Sequence, residues 1–522
     1  MHQFSRPDFA LRWYDYCFMG LLFFCSTFLQ QHQYFNWDGS WHLEGAKRLL
    51  QGATYSNGLF DDNLPMTFWF FVPAALLHQV FGINKILLAN CSIEIALWAS
   101  FFCARFFLKR IYCYAKTGEF YLIQYALLFF LLIYGPTLFG QRDFIATFLL
   151  LPYITLMGAR AEERIVKFQN YFLRLLVGFF AAMAIAMNPF FLCIILVLEI
   201  QIFLAKRHKI LSPELLFLSI FCVLYFLIMG IFYKEYYTVV IPSFYVFSPG
   251  YNAGFFELFF SYCSLMIFFG IALSFFWRKH CPRRAWFQVL LTATCISYFL
   301  YFLHRKLWVS HEIFSLCMVF LMTVIIFCDV IQSKRAWTKF FWITFLSFIF
   351  LIFSVISIIR IEVSNYHFFQ NKKSSTRQLI SIFNEVPAGS KLYFFSSEGY
   401  SIGIIMGYTK IENSTPWPND WMLPAMQKNN SALRSLKGWK LAWANRYQQM
   451  FITQSISDLK NKKPNYVFIE MSSGALHVDF LNILSESPEF ADVWKNYYLE
   501  KIIPDVDHGG CTATYFIYKR RE

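Results

Sequence analysis

The chain has 522 residues, of which 57% are hydrophobic and only 15% charged, whereas about a quarter are charged in an ordinary globular protein. This composition excludes a soluble single-domain protein and predicts a polytopic membrane protein. The formal net charge of +14 is spread over short loops instead of forming one stripe or tail. It therefore argues against a nucleic-acid partner and reports membrane topology.

Apolar runs of about twenty residues recur along the first two thirds of the chain, each long enough to cross about 30 Å of hydrocarbon. We predict about eleven crossings, which define a transmembrane domain over residues 1–363. They cover residues 13–31, 84–107, 119–139, 144–158, 171–187, 190–205, 214–233, 256–277, 286–303, 309–330 and 339–359.

Lysine and arginine are enriched in alternate loops between these runs. The loops carry Lys109, Arg110 and Lys116; Arg160, Arg164 and Lys167; Lys206, Arg207 and Lys209; Arg278, Lys279, Arg283 and Arg284; and Lys334, Arg335 and Lys339. Because such loops stay in the cytoplasm, we place the N-terminus there. The opposite side receives the loop 31–81, the turns near residues 140 and 304, and the C-terminal region.

From about residue 364 onward, polar residues alternate with short apolar runs, as in a soluble domain. Strand patterns at 391–396, 401–408, 465–471, 497–503 and 512–518, with helical patterns near 376–386, 431–460 and 475–486, predict a small α/β domain over 364–522. The segment Pro416–Pro424, PWPNDWMLP, is typical of a surface loop. The predicted fold class is a mainly α polytopic membrane protein with this C-terminal α/β extracytoplasmic domain.

The outer loop 31–81 contains acidic side chains among tryptophans. Ser40 is expected to cap a helix over 41–51 whose apolar face lies on the membrane, and a second helix is expected over 66–81, ended by Gly82. Asp38, between two tryptophans just before the first helix, is a partly desolvated carboxylate, as a general base requires. A helix cap is the alternative role. Asp61 and Asp62 could orient an acceptor or hold a cation, or form a solvated acidic turn.

Two outward turns carry charge at the edge of the hydrocarbon. The turn Gly140–Asp143 places Arg142 and Asp143 where unpaired charge is costly. Since a guanidinium binds phosphate oxygens bidentately, Arg142 suits a lipid-linked phosphate, with an ion pair as the alternative. The segment 298–311, YFLYFLHRKLWVSH, places basic residues on the predicted outer side, contrary to the positive-inside rule. An anionic headgroup or phosphate partner would explain these charges, and simple snorkelling of the side chains is the alternative.

Together these motifs resemble the GT-C glycosyltransferases of the protein-mannosyltransferase and lipid A aminoarabinose-transferase type, in a bacterial branch. The QRD turn followed by LLLPY resembles a Gln-Arg-Glu element and an LPY run. LHRKLWVSH resembles a Gln-x-Lys-x-Trp-x-x-His segment, matching Lys306, Trp308 and His311. PWPNDWMLPAM and NKKPNYVFIE resemble pieces of the outer C-terminal domain. Gly39 stands where members often have a second acidic residue, Leu64 replaces the first proline of Asn-Pro-Pro, and Asp143 replaces glutamate.

The resemblance implies an inverting transfer of a sugar from a polyprenyl-phosphate donor to a lipid, glycan or protein acceptor on the periplasmic side of a bacterial inner membrane. It implies Asp38 as the catalytic base, lining one pocket with the groups around the donor phosphate, which are Arg142, Lys306 and Arg305. The expected substrate-binding or supporting residues are Asp143, His311, Trp308, Glu44, Asp62 and Asn63. No cofactor is firmly implied, and Gly39 leaves binding of a divalent metal open. The alternative function is a transporter or flippase for a lipid-linked glycan.

Overall fold

The structure is a computed structural model that describes residues 13–112, 117–134, 138–163, 170–205, 212–332, 341–371, 374–397, 399–417, 420, 422–427, 437–472, 478–508 and 511–521. Several basic residues used for the topology prediction lie outside these ranges. They are Lys116, Arg164, Lys167, Lys206, Arg207, Lys209, Lys334, Arg335 and Lys339. The alternation of basic loops therefore stays a prediction.

Helices make up most of the described chain before residue 371. They are α1 Trp13–Gln31, α2 Trp37–Leu50, α3 Pro65–Phe81, α4 Lys85–Ile111, α5 Thr117–Phe129, α6 Arg142–Ala161, α7 Tyr171–Met187, α8 Phe191–Leu204, α9 Pro213–Phe232, α10 Ile241–Phe247, α11 Phe255–Phe259, α12 Tyr262–Trp277, α13 Arg284–His304, α14 Ile313–Gln332 and α15 Phe341–Gln370. Short π-helical turns, Phe130–Tyr134 and Tyr236–Val240, adjoin α5 and α10.

Five of the described helical segments are long and apolar enough to cross a membrane. They are Lys85–Ile111, Arg142–Ala161, Pro213–Phe232, Arg284–His304 and Val309–Ile331. Shorter apolar helices include α3, α7, α8 and α12. The prediction of a mainly helical membrane protein is confirmed at this level, whereas the predicted number of eleven crossings is not.

The remaining elements form an α/β arrangement. They are α16 Ser375–Glu385, β1 Lys391–Phe395, α17 Gly399–Tyr408, β2 Glu412–Asn413, α18 Met422–Gln427, α19 Trp439–Lys462, β3 Tyr466–Ser472, α20 Phe480–Ser485, α21 Pro488–Trp494, β4 Tyr497–His508 and β5 Cys511–Arg520. The strands form one sheet in the order β2-β1-β3-β5-β4. β1 is parallel to β2 and β3, while β5 pairs antiparallel with β3 and β4.

The described residues belong to two compact units. The first unit is drawn from Met1–Tyr34, Asn90–Phe226 and Ala253–His367, and the second from Phe35–Ala89, Leu227–Asn252 and Phe368–Glu522. In the first unit, α6 is buried along its whole length. In the second unit, a continuous apolar core joins the side chains of the sheet to those of the segment 41–68. Residues of the predicted outer loop thus share a core with the C-terminal sheet.

Two predictions for the C-terminal region were wrong. Residues 401–408 were expected to form a strand but belong to helix α17, because a short apolar run does not distinguish a strand from a buried helix. The segment beginning at Pro416 was expected on the surface, yet Trp417 is 3% exposed and its ring packs edge-on against Phe60 at 5.0 Å. The Phe60 amide donates to the Pro416 carbonyl at 3.0 Å. That bond satisfies backbone which a buried loop would otherwise leave unpaired.

The packing of α6 against α13 generates a stability prediction. A Cβ added at Gly158 of α6 would overlap the indole ring of Trp286 in α13, which is fully buried. Because overpacking of this kind costs about 1–3 kcal/mol, we expect Gly158→Ala to lower the thermal unfolding midpoint of the detergent-solubilised protein. Gly230→Ala in α9 is the matched control, since a Cβ there has nothing within 4 Å. Equal midpoints for the two variants would contradict this account of the packing.

Candidate active site

Helix α2 begins earlier than the sequence predicted, and its start determines where Asp38 lies. The Asn36 side chain caps the helix by accepting the Asp38 amide N–H at 2.9 Å. Ser40, the predicted cap, lies inside the helix and is buried. The capping role left open for Asp38 therefore belongs to Asn36. Asp38 stands half-buried in the first turn, where the positive end of the helix dipole favours a carboxylate.

A row of glycines in α17 holds the first turn of α2. Gly399, Gly403 and Gly407 are spaced by four residues, so they share one helix face. The indole of Trp37 lies against Gly399, and a Cβ at Gly403 would lie 2.7 Å from the Trp37 Cα. Side chains larger than hydrogen at these positions would displace the turn that carries Asp38. The close approach of α17 therefore fixes the backbone of the predicted base.

The apolar face of α2 is buried in protein, not laid on the membrane as expected. Trp41 is 2% exposed and Leu43 4%. At the carboxyl end, Arg48 donates to Glu44 at 3.1 Å and to the carbonyls of Gly58 and Thr415, both at 2.6 Å. Glu44, predicted to bind or support substrate, thus pairs with a buried arginine. These bonds anchor α2 at the end opposite Asp38.

Asp61 is the centre of a hydrogen-bond network that the sequence did not predict. Asp61 is 3% exposed, which is inconsistent with the solvated acidic turn that was one of its predicted roles. Trp41 Nε1 donates to Asp61 Oδ2, and the backbone and side-chain amides of Asn63 both donate to Oδ1 at 2.9 Å. Burial raises the pKa of Asp61 well above its usual value, and the neighbouring charge of Asp62 raises it further.

Asp62 and Asn63, both predicted as supporting residues, belong to this network. The Asp62 carbonyl accepts a hydrogen bond from Tyr236 at 3.0 Å, and the Asn63 carbonyl accepts one from Tyr55 at 2.5 Å. Trp41 was the one clue to this network in the sequence, because a buried indole N–H usually donates a hydrogen bond to an acceptor. The network fixes the linker between α2 and α3.

The first unit holds a second polar cluster, centred on Asp143 at the start of α6. Asp143 Oδ1 accepts a hydrogen bond from Asn188 Nδ2 at 2.7 Å. The same oxygen lies 3.7 Å from Arg142 Nε, and Oδ2 lies 3.7 Å from His311 Nε2. At 3.7 Å the Arg142 and Asp143 charges attract without a direct hydrogen bond. Asn188 was not among the predicted site residues.

The basic segment after α13 folds beside this carboxylate. Arg305 adopts a left-handed conformation with φ of 55°, which ends α13 and leaves its side chain exposed. Lys306 is 3% exposed, and its ammonium lies 6.0 Å from the centre of the Trp308 ring. The His311 ring lies 5.2 Å from that of Trp308 and 4.7 Å from that of His304.

The structure therefore describes the predicted residues in two groups. Arg142, Asp143, Lys306, Trp308 and His311 neighbour one another in the first unit, with Arg305 at the adjoining turn. Asp38, Glu44, Asp62 and Asn63 belong to the second unit. The pocket predicted to contain Asp38 together with Arg142 stays a prediction. Among the described residues, no three histidine, cysteine, aspartate or glutamate side chains are grouped to share a metal ion.

The chain is similar in structure to ArnT from Cupriavidus metallidurans bound to undecaprenyl phosphate, with a TM-score of 0.53 at 9% identity, covering 97% of this chain and 98% of that one. The same enzyme in the apo state gives a TM-score of 0.54 at 9% identity, with 97% of each chain covered. The fold that the resemblance predicted is thus confirmed.

A weaker likeness is found to the oligosaccharyltransferase of Archaeoglobus fulgidus in the apo form. Its TM-score is 0.45 at 8% identity, over 87% of this chain and 70% of that one. No protein-family model matches the sequence, and no curated protein matches it.

The burial of Asp61 generates a pH-dependence prediction. Because its pKa is raised, Asp61 contributes stability that is fully present below its unfolded pKa of about 3.9 and is lost as the pH rises through the folded value. The amide of the Asp61→Asn variant does not titrate. It has one oxygen in place of two, so it accepts fewer of the hydrogen bonds that Asp61 accepts. We expect this variant to be less stable than the wild type at about pH 5, with a deficit that shrinks toward about pH 8.

Thermal unfolding of the purified proteins across this range measures the deficit. Asp492→Asn is the control, because the Asp492 side chain is 81% exposed and its substitution should leave a difference that does not vary with pH. An Asp61→Asn deficit that stays constant with pH would contradict the assignment.

Proposed function

We propose that the protein is an inverting glycosyltransferase that moves a sugar from a polyprenyl-phosphate donor to a cell-envelope acceptor. The observation that carries the proposal is the likeness of nearly the whole chain to ArnT, whose structure contains undecaprenyl phosphate. We place the reaction on the periplasmic side of a bacterial inner membrane, with the N-terminus in the cytoplasm. The acceptor is a lipid, glycan or protein of the cell envelope.

Asp38 is the proposed catalytic base. Its carboxylate accepts the proton of the acceptor hydroxyl as that oxygen attacks the anomeric carbon of the donor sugar. The new C–O bond forms on the face opposite the departing phosphate, so the anomeric configuration inverts. The helix cap by Asn36 and the glycine contacts of Trp37 support this role, because they fix the turn that carries the carboxylate.

The polyprenyl phosphate is the proposed leaving group. As the bond from the anomeric carbon to the phosphate oxygen breaks, negative charge grows on the phosphate, and cationic side chains stabilise it. Arg142 and Lys306 are the proposed partners, with Arg305 at the adjoining turn. Asp143, held by Asn188 and facing His311, would orient the Arg142 guanidinium. Trp308 would pack beside the buried ammonium of Lys306.

The proposed base is tested by Asp38→Asn. The amide keeps the size of the side chain but cannot take the proton, so we expect transfer from purified polyprenyl-phosphate sugar to fall at least about 100-fold, with unchanged expression and thermal stability. Asp492→Asn is the matched surface control and should keep full activity. Wild-type rates in Asp38→Asn would reject Asp38 as the base.

The phosphate contact is tested by comparing Arg142→Ala with Arg142→Lys. A guanidinium can bind two phosphate oxygens, an ammonium binds as a point charge, and alanine binds neither. We therefore expect the affinity for undecaprenyl phosphate to decrease in the order wild type, Arg142→Lys, Arg142→Ala, as measured by calorimetric titration in detergent. If all three proteins bind the lipid equally, Arg142 has only the structural ion pair with Asp143.

A further inference from the structure

A polar cleft of about 340 Å³ lies at the carboxyl end of α2. Its walls are the loop that follows α2, the edge strand β2 and the end of α19, all within the second unit. This volume lies in the range of small-molecule binding sites. The cleft contains none of the residues to which the proposed transfer reaction assigns a role.

The lining carries more positive than negative side chains. Arg48, Lys391 and Lys462 are its basic residues, and Glu412 is its acidic residue. Arg48 and Lys462 already face acidic partners, since Glu44 lies 3.1 Å from Arg48 Nε and Asp458 lies 3.0 Å from Lys462 Nζ. Among the residues that the structure describes, the Lys391 side chain has no hydrogen-bond or ion-pair partner, although β1 sets its backbone opposite Glu412 of β2. Lys391 is therefore the cation most available to a ligand.

Amide side chains complete the wall. Gln51 and Asn57 both line the cleft, and their side-chain amides make no hydrogen bond within the described structure. Each amide offers one acceptor and two donors, a combination that suits hydroxyl groups. Donors and acceptors of this kind beside the Lys391 ammonium fit a sugar that carries a negative charge.

The cleft also has a defined relation to Asp38, because both belong to α2. Asp38 and Arg48 are ten residues apart in one helix, which is a rise of about 15 Å. A single sugar ring is far shorter than this. We propose that the cleft binds an acidic segment of an extended acceptor glycan, away from the sugar that reacts. The proposal rests on the proposed glycosyltransferase function, and it narrows the acceptor to an anionic oligosaccharide or polysaccharide.

The test is calorimetric titration of the full chain in nanodiscs, without a donor lipid. The probes are trigalacturonate as the acidic glycan, maltotriose as the neutral glycan and inorganic phosphate. We expect binding of trigalacturonate that weakens with salt, and clearly weaker binding of maltotriose and of phosphate. Trigalacturonate binding no tighter than that of either other probe would overturn the proposal.

Substitutions at two exposed positions of the cleft test where the glycan binds. Lys391→Glu replaces an attraction by a repulsion and should weaken trigalacturonate binding about tenfold or more, whereas Glu412→Gln removes the acidic group of the wall and should strengthen it. Lys501→Glu, on an exposed position of β4 outside the cleft, is the control and should change nothing. If Lys391→Glu and Lys501→Glu bind alike, the glycan does not occupy this cleft.

Asp38→Asn separates this proposal from the transfer reaction. We expect that variant to bind trigalacturonate like the wild type while losing transfer. An Asp38→Asn protein that keeps transfer would reject the proposed base and leave the cleft assignment standing. Loss of transfer in a protein whose wild type binds no acidic glycan would reject the cleft and leave the base standing.

Discussion

The contact between the glycine face of α17 and Trp37 is the constraint on which the second unit depends. Gly403 lets the backbone of α17 approach that of α2 so closely that a Cβ would lie 2.7 Å from Trp37 Cα. This approach fixes the first turn of α2, where Asp38 stands. At the other end of the helix, Arg48 binds the carbonyls of Gly58 and Thr415. A helix held at both ends can present a carboxylate in a fixed position, as catalysis requires.

In the first unit, a charged side chain, Asp143, lies at the start of the buried helix α6. Asp143 is 4% exposed and would be costly if it were unpaired. Asn188 donates to it, and Arg142 and His311 approach it from opposite oxygens. Three segments far apart in the chain are tied together by one carboxylate. The same carboxylate holds the Arg142 guanidinium at the start of α6.

The sequence predicted those features that depend on local patterns. The length of the apolar runs predicted the helical unit, and Gly82 ends α3 as expected. Features that depend on distant partners were missed. Serine and asparagine are both common helix caps. The local sequence therefore did not show that Asn36, and not Ser40, caps α2. The run at 401–408 has no periodicity that separates a strand from a buried helix, so its helical state could not be predicted. Asp61 and Trp417 looked solvated because the partners that bury them, Trp41 and Phe60, lie in other segments.

The most direct test of the central claim follows the sugar and its carrier together. Purified protein in liposomes is supplied with polyprenyl-phosphate sugar labelled in the sugar and with a cell-envelope extract as acceptor. The account predicts that label leaves the lipid, enters the acceptor with inverted anomeric configuration, and releases polyprenyl phosphate in equal amount. Label that crosses the bilayer while still attached to its lipid carrier would contradict the account and identify a flippase.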